Sequence, residues 1–309
     1  MAVAETRFRV MASDAHVIVV NGPNRAGEVA RRALDELEQA WSRFLPLSDL
    51  NRINDLPNTP VVVNEPTITL IETMMRAWEL TDGLYNPSIL PVLIDAGYRF
   101  SMDSIEPRSQ VPSIVESKIG NLSQIVVDRE NLSVTCPYNL ALDPGGIGKG
   151  LAADLVVSEL LAGGADGALV SIGGDMAAAG TPPTATGWSL AIQSPADPAT
   201  HIAEIAFGGG GVATSSTLSR RWKQGHTERH HLIDPTTEAV AQPDLVAVTI
   251  FAPAGWLAEA HATAAILGGA DRFASYTDWF GLQGVAVTAE GHLIETPAFG
   301  DLRPAAVPA

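Results

Sequence analysis

The sequence has one cysteine, Cys136, and a single thiol excludes an intramolecular disulfide. Cys136 ends the run Leu-Ser-Val-Thr-Cys, so we expect it to be a buried strand residue rather than a reactive thiol. No window approaches about 18 consecutive apolar residues, and no membrane-spanning helix is therefore expected. The N-terminal residues lack the apolar core of a signal peptide and a lipid-attachment cysteine, which favours a cytoplasmic location unless a leader precedes this sequence.

Positive charge is also scarce. Charged residues make up 17% of the 309 residues, and 19 lysines and arginines stand against 35 aspartates and glutamates, for a net charge of -16. Nucleic-acid binding depends on Lys and Arg to neutralise phosphates, so a nucleic-acid partner is not expected. A small anionic substrate would need local cations or a metal ion. Hydrophobic residues make up 46% of the chain, enough for one large domain or two closely packed ones.

The apolar pattern predicts paired strands and separate helices, which favours an α+β fold over a doubly wound sheet. Helices are expected at about 28–41, 67–80 and 256–267, and a hairpin at 125–128 and 132–135. Further strands are expected at 16–20, 168–172, 188–193, 246–252 and 284–288. Residues 101–118 are polar with two prolines and predict a surface excursion, and the tail 300–309 is expected to be frayed.

The most informative segment is residues 143–150, which reads Asp-Pro-Gly-Gly-Ile-Gly-Lys-Gly and opens onto an amphipathic helix. Glycines at a helix start let backbone N–H groups face an anion, so the segment predicts phosphate binding. A Walker loop is excluded, because Gly150 stands where Ser or Thr must follow Lys149. The dinucleotide fingerprint is excluded too, because the glycines fall at alternate positions from Gly146 to Gly150. This is a glycine-rich phosphate loop of another kind.

Two further segments suit phosphate chemistry. Residues 171–176 run from a strand end into Gly-Gly-Asp, a weak pattern that a tight turn also explains. Residues 211–235 combine hydroxyls and arginines, which suit phosphate oxygens. In the same segment His231 precedes Asp234 by three residues, so the histidine is a candidate general base whose tautomer a carboxylate could fix.

Other roles for the histidines stay open. They could be ordinary strand residues, or His226, His230 and Asp234 could form a zinc site. A serine hydrolase is not favoured, because no Gly-x-Ser-x-Gly motif surrounds Ser215 or Ser216.

A fourth segment lies on the last long helix. Glu259 and Thr263 are four residues apart, so their oxygens share one face of that helix. A carboxylate and a hydroxyl form an oxygen-rich partial site that suits Mg²⁺ better than zinc. The same pair would also fit a solvated helix face.

In this order, the segments resemble the ApbE family, the FAD:protein FMN transferases. That family's pattern is roughly Asp-x-Gly-Gly-Ile-Ala-Lys-Gly, Gly-Gly-Asp, Thr-Ser-Gly with a following Arg, His-Ile-x-Asp-Pro, and Ala-Asp-Ala-x-x-Thr-Ala. The corresponding positions here are 143–150, 173–175, 214–221, 231–235 and 258–264, with earlier matches at 11–13, 41–54 and 81–87. The similarity extends from about residue 10 to residue 295, and five ordered motifs are far more specific than any one of them.

The resemblance implies one α+β domain over residues 1–309, T-fold-like in part, with mixed and antiparallel sheets and helices packed on the outside. It implies that the protein binds Mg²⁺ and uses FAD as substrate. The implied reaction transfers FMN from FAD to a Ser or Thr hydroxyl of an acceptor protein, with a phosphoester formed and AMP released. Family acceptors include membrane redox-complex subunits and small FMN-binding domains.

The resemblance also implies roles for individual residues. His231 would be the catalytic base, with Asp234 orienting its ring, and the metal ligands would be the Gly148 carbonyl, Glu259 and Thr263. The implied cofactor-binding residues are Met11, Phe44, Asn54, Asp143, Gly145, Gly146, Lys149, Gly173, Gly174, Asp175, Thr214, Ser215 and Arg221. Met11 and Phe44 match positions that pack on the flavin ring, and Asn54 matches an asparagine near the nucleotide.

The chain departs from the pattern where Glu259 replaces the usual metal aspartate, Gly148 replaces alanine, and Ser216-Thr217 replaces Gly-Asp. Three alternative functions therefore stay open. The first is a magnesium-dependent FAD pyrophosphatase, in which water replaces the acceptor. The second is a flavin-binding protein without turnover, in which the glutamate has weakened the metal site. The third is a zinc enzyme built on the histidine cluster.

Overall fold

The computed structural model describes residues 1–101, 119–197 and 199–303. Its centre is a sheet of eight strands, numbered along the chain. In sheet order they are β1 (Val3–Val10), β2 (Ser13–Val20), β6 (Gly167–Ile172), β7 (Asp175–Gly180), β10 (Gly210–Ser216), β15 (Leu245–Ala252), β16 (Gln283–Thr288) and β17 (Leu293–Glu295). Every neighbouring pair in this sheet is antiparallel.

Four smaller antiparallel sheets surround this centre. One has three strands, β3 (Val61–Val62), β5 (Ser133–Thr135) and β4 (Val126–Asp128). The other three are hairpins: β8 (Trp188–Gln193) with β9 (His201–Phe207), β11 (Arg221–Gln224) with β12 (Thr227–His230), and β13 (Ile233–Asp234) with β14 (Ala239–Val240).

The helices are α1 (Ala26–Trp41), α2 (Asp49–Asp55), α3 (Glu65–Leu80), α4 (Leu90–Asp95), α5 (Gly148–Ala162), α6 (Gly255–Gly268) and α7 (Ala270–Phe280). Short 3₁₀ helices occur at Pro87–Ile89, Leu122–Gln124 and Phe299–Leu302. α5 packs on β6 and β7, α6 packs on β10 and β15, and α1 covers α5.

Apolar cores pack on both faces of the central sheet, and the alternation of side chains along a strand decides which core a residue joins. In β2, Val17 and Val19 join the core beneath α1, α3 and α5. Val20, at the end of the same strand, joins a second core with Trp188 and Phe207 of the β8–β9 hairpin. The large helices therefore lie on one face, and the hairpin covers part of the other.

α5 and α6 approach each other closely at their first turns because both carry glycine there. A Cβ on Gly150 would lie 2.3 Å from the Gly255 carbonyl oxygen, and a Cβ on Gly255 would lie 2.6 Å from the Gly150 carbonyl oxygen. Contacts that short do not occur between real atoms, so this crossing requires glycine on both helices. The close approach brings the glycine-rich segment on α5 next to the Glu259 and Thr263 pair on α6.

The α+β prediction is confirmed, and every strand pair in the described residues is antiparallel. The predicted helices correspond to α1, α3 and α6 within one or two residues, and the predicted hairpin corresponds to β4 and β5. Cys136 is buried, as expected, and lies directly after β5, where burial raises the pKa of its thiol to about 12. None of the helices in the described ranges is long and apolar enough to cross a membrane.

Two predictions concern segments that the structure describes only in part. Of the surface excursion expected at 101–118, residues 102–118 lie outside the described residues. Of the frayed tail expected at 300–309, residues 304–309 also lie outside them, whereas residues 300–302 belong to a 3₁₀ helix. The start of that tail is ordered because Phe299 is fully buried against the core that contains Trp188.

Candidate active site

A cavity of about 700 Å³ opens beside the glycine-rich segment. Of the 18 site residues expected from the sequence, 14 line it, and the other four do not. The fourteen are Met11, Phe44, Asp143, Gly145, Gly146, Gly148, Lys149, Gly173, Asp175, Thr214, Ser215, His231, Glu259 and Thr263. They come from the β1–β2 turn, the loop after α1, the start of α5, the β6–β7 turn, β10, the loop before β13, and α6, so folding gathers segments that are far apart in the sequence.

Unpaired polar atoms concentrate on the cavity wall. In the described residues, five buried side-chain nitrogen or oxygen atoms have no hydrogen-bond partner. Three of the five belong to cavity residues: Trp41 Nε1, the Tyr85 hydroxyl and His231 Nδ1. Buried polar atoms are nearly always hydrogen-bonded in folded proteins. Three such exceptions in one lining single out this cavity among the described residues.

The glycine-rich segment uses several of its amides inside the protein. Gly145 N donates to Asp143 Oδ1 at 2.7 Å, and Gly148 N donates to the Pro144 carbonyl at 2.8 Å. Gly150 N donates to Glu259 Oε2 at 2.7 Å. The sequence predicted that amides of this segment face an anion, but these three are already bound. Neutralisation of an anion must therefore rely more on side-chain cations.

Lys149 is the central cation of the cavity. Its ammonium group forms an ion pair with Asp175, and its Nζ lies 3.6 Å from Glu259 Oε1. The other oxygen of Asp175, Oδ1, accepts a hydrogen bond from Thr214 N at 3.2 Å. Burial lowers the pKa of Lys149 to about 8, against the opposing effect of Glu259, and the charge of Arg220 lowers it further. Lys149 therefore keeps its positive charge at neutral pH, beside two buried carboxylates.

A buried ion pair forms another part of the cavity wall. Arg43 Nε lies 2.6 Å from Asp143 Oδ2, and both side chains are 7% exposed. The Arg43 guanidinium also lies over the rings of Phe44 and Tyr98, at 4.1 and 4.6 Å from their centroids. Tyr98 in turn stacks on Trp222, with ring centroids 4.9 Å apart. Phe44 and Tyr98 therefore give this wall an aromatic lining whose ring faces already contact Arg43 and Trp222.

The turn that carries Met11 is conformationally unusual. Met11 and Ala12 connect β1 to β2 with φ of 51° and 54°, in the left-handed region that glycine or asparagine normally occupies in such hairpins. Facing it, a Cβ on Gly173 would lie 2.8 Å from Ser13 Oγ. Residues in sparsely populated backbone regions cluster at active sites and ligand sites. The turn holds Met11 on the cavity wall.

His231 faces the cavity as a neutral imidazole. Burial lowers its pKa well below the ordinary value, and the nearby charges of Arg220, His230 and Lys149 lower it further. Its Nδ1 has no hydrogen-bond partner. A neutral histidine can accept a proton at neutral pH, as a general base must.

The expected contact between His231 and Asp234 is not formed. The Asp234 carboxylate accepts hydrogen bonds from Thr236 N at 2.8 Å and from the Thr237 hydroxyl at 3.0 Å, and it thereby stabilises the turn between β13 and β14. Asp234 does not line the cavity. The three-residue spacing cannot bring the two side chains together because Asp234 already lies in that hairpin.

The other three residues that do not line the cavity have structural contacts instead. Asn54 exchanges two hydrogen bonds with the backbone of Leu142, at 2.9 and 2.8 Å, and so braces the approach to the glycine-rich segment. Gly174 completes the β6–β7 turn with φ of 97°. Arg221 lies on β11 and pairs with Glu228, whereas its neighbour Arg220 lines the cavity.

Oxygen donors that suit Mg²⁺ meet on one side of the cavity. Glu259 and Thr263 lie one turn apart on α6, and Gly148 begins α5 beside them. Thr263 Oγ1 lies 3.2 Å from Ser215 Oγ. Carboxylate, hydroxyl and carbonyl oxygens are the hard ligands that Mg²⁺ binds, often with water or substrate oxygens completing the shell. The chemistry of the donor set therefore fits the ion.

The histidine cluster does not assemble into a zinc site. His226 lies in the exposed turn between β11 and β12, and His230 Nδ1 accepts a hydrogen bond from Leu232 N at 3.3 Å. The Asp234 carboxylate is bound within its own hairpin. Within the described ranges, no group of three or more His, Cys, Asp or Glu side chains could hold a metal ion.

Sequence analysis missed three important cavity residues, Arg43, Tyr85 and Tyr98. Arg220 lies in the arginine-containing segment 211–235 that was expected to suit phosphate, although its neighbour Arg221 was the arginine named as a site residue. Arg43 and Tyr85 lie inside segments that matched the family pattern, at 41–54 and 81–87, so their position in those motifs was an available indication. The pairing of Arg43 with Asp143 joins residues a hundred positions apart and could not be read from spacing.

The fold and the cavity define an α+β protein with a small-molecule-sized site, lined by a glycine-rich helix start, arginines and aromatic rings. The chain belongs to the ApbE family, whose model matches residues 6–286. The resemblance inferred from the ordered motifs is therefore confirmed.

Individual relatives agree with the family match. The FAD:protein FMN transferase of Escherichia coli strain K12 is 26% identical over 275 residues, which cover 87% of this chain and 78% of the relative. The crystal structure of the ApbE protein from Thermotoga maritima superposes with a TM-score of 0.86 at 25% identity, covering 98% of this chain and all of the other. The apo flavinyl transferase ApbE of Pseudomonas stutzeri has a TM-score of 0.80 at 24% identity, covers 99% of this chain and 98% of the other, and shows the likeness of the fold.

Proposed function

We propose that this protein transfers FMN from FAD to a Ser or Thr hydroxyl of an acceptor protein, forming a phosphoester and releasing AMP. The observation that carries the proposal is the cavity itself, which unites a neutral His231, the cation of Lys149 and the oxygen donors Glu259 and Thr263. The E. coli relative carries the name of this activity.

The proposed step is a phosphoryl-type transfer. The acceptor oxygen attacks the phosphorus of the FMN half of FAD, and the bond from that phosphorus to the oxygen of the AMP half breaks. His231 takes the hydroxyl proton, and its lowered pKa means that the ring is in the neutral form, the only one that can accept a proton. AMP leaves with the bridging oxygen and its negative charge. The step thus forms one phosphorus–oxygen bond, breaks another and moves one proton, so it balances.

Charge on the pyrophosphate needs neutralising in a protein with few cations. Lys149 and Arg220 line the cavity and supply positive charge there. Asp143 and Glu259 each bind an amide of the glycine-rich segment, which fixes the shape of that segment. Fixed charges in a water-excluded site stabilise a developing anion more strongly than mobile ones in solvent.

Mg²⁺ would be held by Glu259, Thr263 and the Gly148 carbonyl. When bound, the ion would supply positive charge to the pyrophosphate and to the leaving AMP. The hard oxygen character of these donors supports this assignment. Glu259 replaces the aspartate of the family pattern, and the longer side chain lets one carboxylate oxygen reach Gly150 N at 2.7 Å while the other stays beside Lys149.

The flavin would pack on Met11 and Phe44, beside the aromatic wall that includes Tyr98. A cavity of about 700 Å³ is within the size range of small-molecule sites. The acceptor would be a protein with a Ser or Thr modification motif, such as a membrane redox-complex subunit or an FMN-binding domain. The cytoplasmic location expected from the N-terminal residues stays a prediction.

The test is to incubate the purified protein with FAD and Mg²⁺, with and without a threonine-containing acceptor domain, and to identify the products by mass spectrometry. An acceptor that gains the mass of FMN while AMP is released would support the proposal. FMN and AMP formed at the same rate with every acceptor tried, and no adduct, would favour a pyrophosphatase. FAD recovered intact in every tube, although bound, would favour a flavin-binding protein without turnover.

A further inference from the structure

Tyr85 is the cavity residue whose burial the proposed chemistry leaves unexplained. It lies between α3 and the 3₁₀ helix Pro87–Ile89, in the segment Thr81 to Pro87 that matched the family pattern. Its side chain lines the cavity, yet the residue is only 2% exposed. Its hydroxyl is buried and has no hydrogen-bond partner.

The surroundings of Tyr85 are those of the proposed pyrophosphate and metal region. A Cβ on Gly146 would lie 3.1 Å from the Tyr85 ring and 3.1 Å from Thr263 Oγ1, so the ring packs directly against the glycine-rich segment. Burial and the negative charges of Glu259 and Asp143 raise the pKa of Tyr85 well above its ordinary value. A phenol hydroxyl has an ordinary pKa of about 10, so the Tyr85 hydroxyl is a hydrogen-bond donor at neutral pH.

A buried donor without a partner destabilises the ligand-free protein, because the hydroxyl has lost its hydrogen bonds to water. A phenylalanine would fill the same space without that penalty. The hydroxyl is thus unfavourable for folding alone and has a use only if something in the cavity accepts its hydrogen bond. Given the carboxylates and the glycine-rich segment around it, that acceptor must be an oxygen of a bound phosphate or of its metal complex.

We propose that Tyr85 is a positioning residue whose hydroxyl donates a hydrogen bond to an oxygen of the metal–pyrophosphate group of bound FAD. The role rests on the proposed function, since it requires FAD in this cavity. Two oxygens have the required chemistry: a phosphate oxygen of FAD, and a water held by the metal ion. The hydrogen bond to a phosphate oxygen would form with or without the metal ion, whereas the hydrogen bond to a metal-held water requires the ion.

The test compares the wild-type protein with Tyr85→Phe in two measurements, the melting temperature without ligand and the dissociation constant for FAD. We expect the melting temperature of the variant to be equal to or higher than that of the wild type, because an unpaired hydroxyl has been removed. We expect its affinity for FAD to be at least about twofold weaker, and about ten- to a hundredfold weaker where the acceptor is a charged phosphate oxygen. If Tyr85→Phe binds FAD more weakly than the wild type both in Mg²⁺ and in EDTA, the acceptor is a phosphate oxygen. If it binds FAD more weakly only in Mg²⁺, the acceptor is a metal-held water.

Tyr276→Phe is the matched control. The Tyr276 hydroxyl is also partly buried, but it has a partner, His261 Nδ1 at 2.6 Å, and Tyr276 does not line this cavity. The control should melt at a lower temperature and bind FAD as the wild type does. Tyr85→Phe with unchanged FAD affinity in both Mg²⁺ and EDTA would overturn the proposed role, whatever its melting temperature. A wild-type protein that binds no FAD would instead overturn the proposed function, before the variants are compared.

Discussion

Asp154 and Glu259 cap each other's helices. Asp154 on α5 accepts hydrogen bonds from Gly255 N at 2.8 Å and Trp256 N at 2.9 Å in the first turn of α6. Glu259 on α6 accepts one from Gly150 N at 2.7 Å in the first turn of α5. A carboxylate at a helix N-terminus binds free amides and interacts favourably with the helix dipole. This reciprocal arrangement fixes the glycine-rich segment relative to the proposed metal ligands.

The Asp154 cap makes stability depend on pH. Burial raises the pKa of Asp154 to about 6, against the lowering effect of the Trp256 and Gly255 hydrogen bonds, whereas an aspartate in an unfolded chain has a pKa of about 3.9. The folded protein therefore binds this proton more tightly than the unfolded chain. Protonation of Asp154 therefore adds to the free energy of unfolding. This contribution is fully present below about pH 4 and is lost as the pH rises through about 6. Within that window the free energy of unfolding falls by up to roughly 1.4 kcal/mol per pH unit.

Asp154→Asn removes this titration and should therefore remove the corresponding pH dependence. The measurement is the free energy of unfolding in urea for both proteins between pH 4 and pH 8. We expect the difference, wild type minus variant, to fall between about pH 4 and pH 6 and to be constant above about pH 7. A difference that is the same at every pH would contradict the assigned pKa.

The buried ion pair of Arg43 and Asp143 should be essential for stability. Arg43→Met leaves the Asp143 carboxylate buried without its partner, and we expect the free energy of unfolding to fall by about 3–5 kcal/mol. Arg129→Met is the control, because Arg129 pairs with Glu65 and Glu72 on the surface and its loss should change stability little. The measurement is chemical denaturation of the ligand-free proteins. If the free energy of unfolding fell equally in Arg43→Met and Arg129→Met, burial would not make the Arg43 ion pair more stabilising than a surface pair.

Glu259 should determine the metal dependence of FAD binding. Glu259→Gln keeps an oxygen that can accept from Gly150 N, so the cap and the fold should survive, but the charge that attracts Mg²⁺ is gone. We expect the gain in FAD affinity on adding Mg²⁺ to be lost, as measured by titrating Mg²⁺ at a fixed FAD concentration. Glu38→Gln, which changes a second carboxylate on the cavity wall, should retain that gain. An unchanged magnesium dependence in Glu259→Gln would remove this residue from the metal site.

Much of the fold could be predicted because its local patterns are strong. The periodic apolar residues of α1 and α3, and the short strand runs of β4 and β5, correspond to the observed elements. Strand β1 and helix α7 are among the elements that the sequence analysis did not predict. β1 alternates exposed and partly buried residues at the sheet edge, and α7 has few buried side chains, so neither has a marked apolar pattern.

The candidate site was predictable where a motif is contiguous and not where it depends on packing. Fourteen of the expected residues line the cavity because the family motifs carry them there together. The spacing of His231 and Asp234 in sequence says nothing about the hairpin, in which the Asp234 carboxylate accepts hydrogen bonds from Thr236 and Thr237. Arg220 and Arg221 are adjacent in sequence, but Arg220, with φ of 48°, lines the cavity, whereas Arg221 begins β11 and does not.

His231 is the group on which the proposed chemistry depends most directly. The measurement is the intact mass of a threonine-containing acceptor after incubation with FAD, Mg²⁺ and either the wild-type protein, His231→Ala or His226→Ala, with FAD affinity measured in parallel. His226 lies in an exposed turn away from the cavity and is the matched control. We predict FMN adducts with the wild type and His226→Ala, and no adduct with His231→Ala although it binds FAD. Adduct formation by His231→Ala at the wild-type rate, or an acceptor left unmodified by all three proteins, would contradict the account.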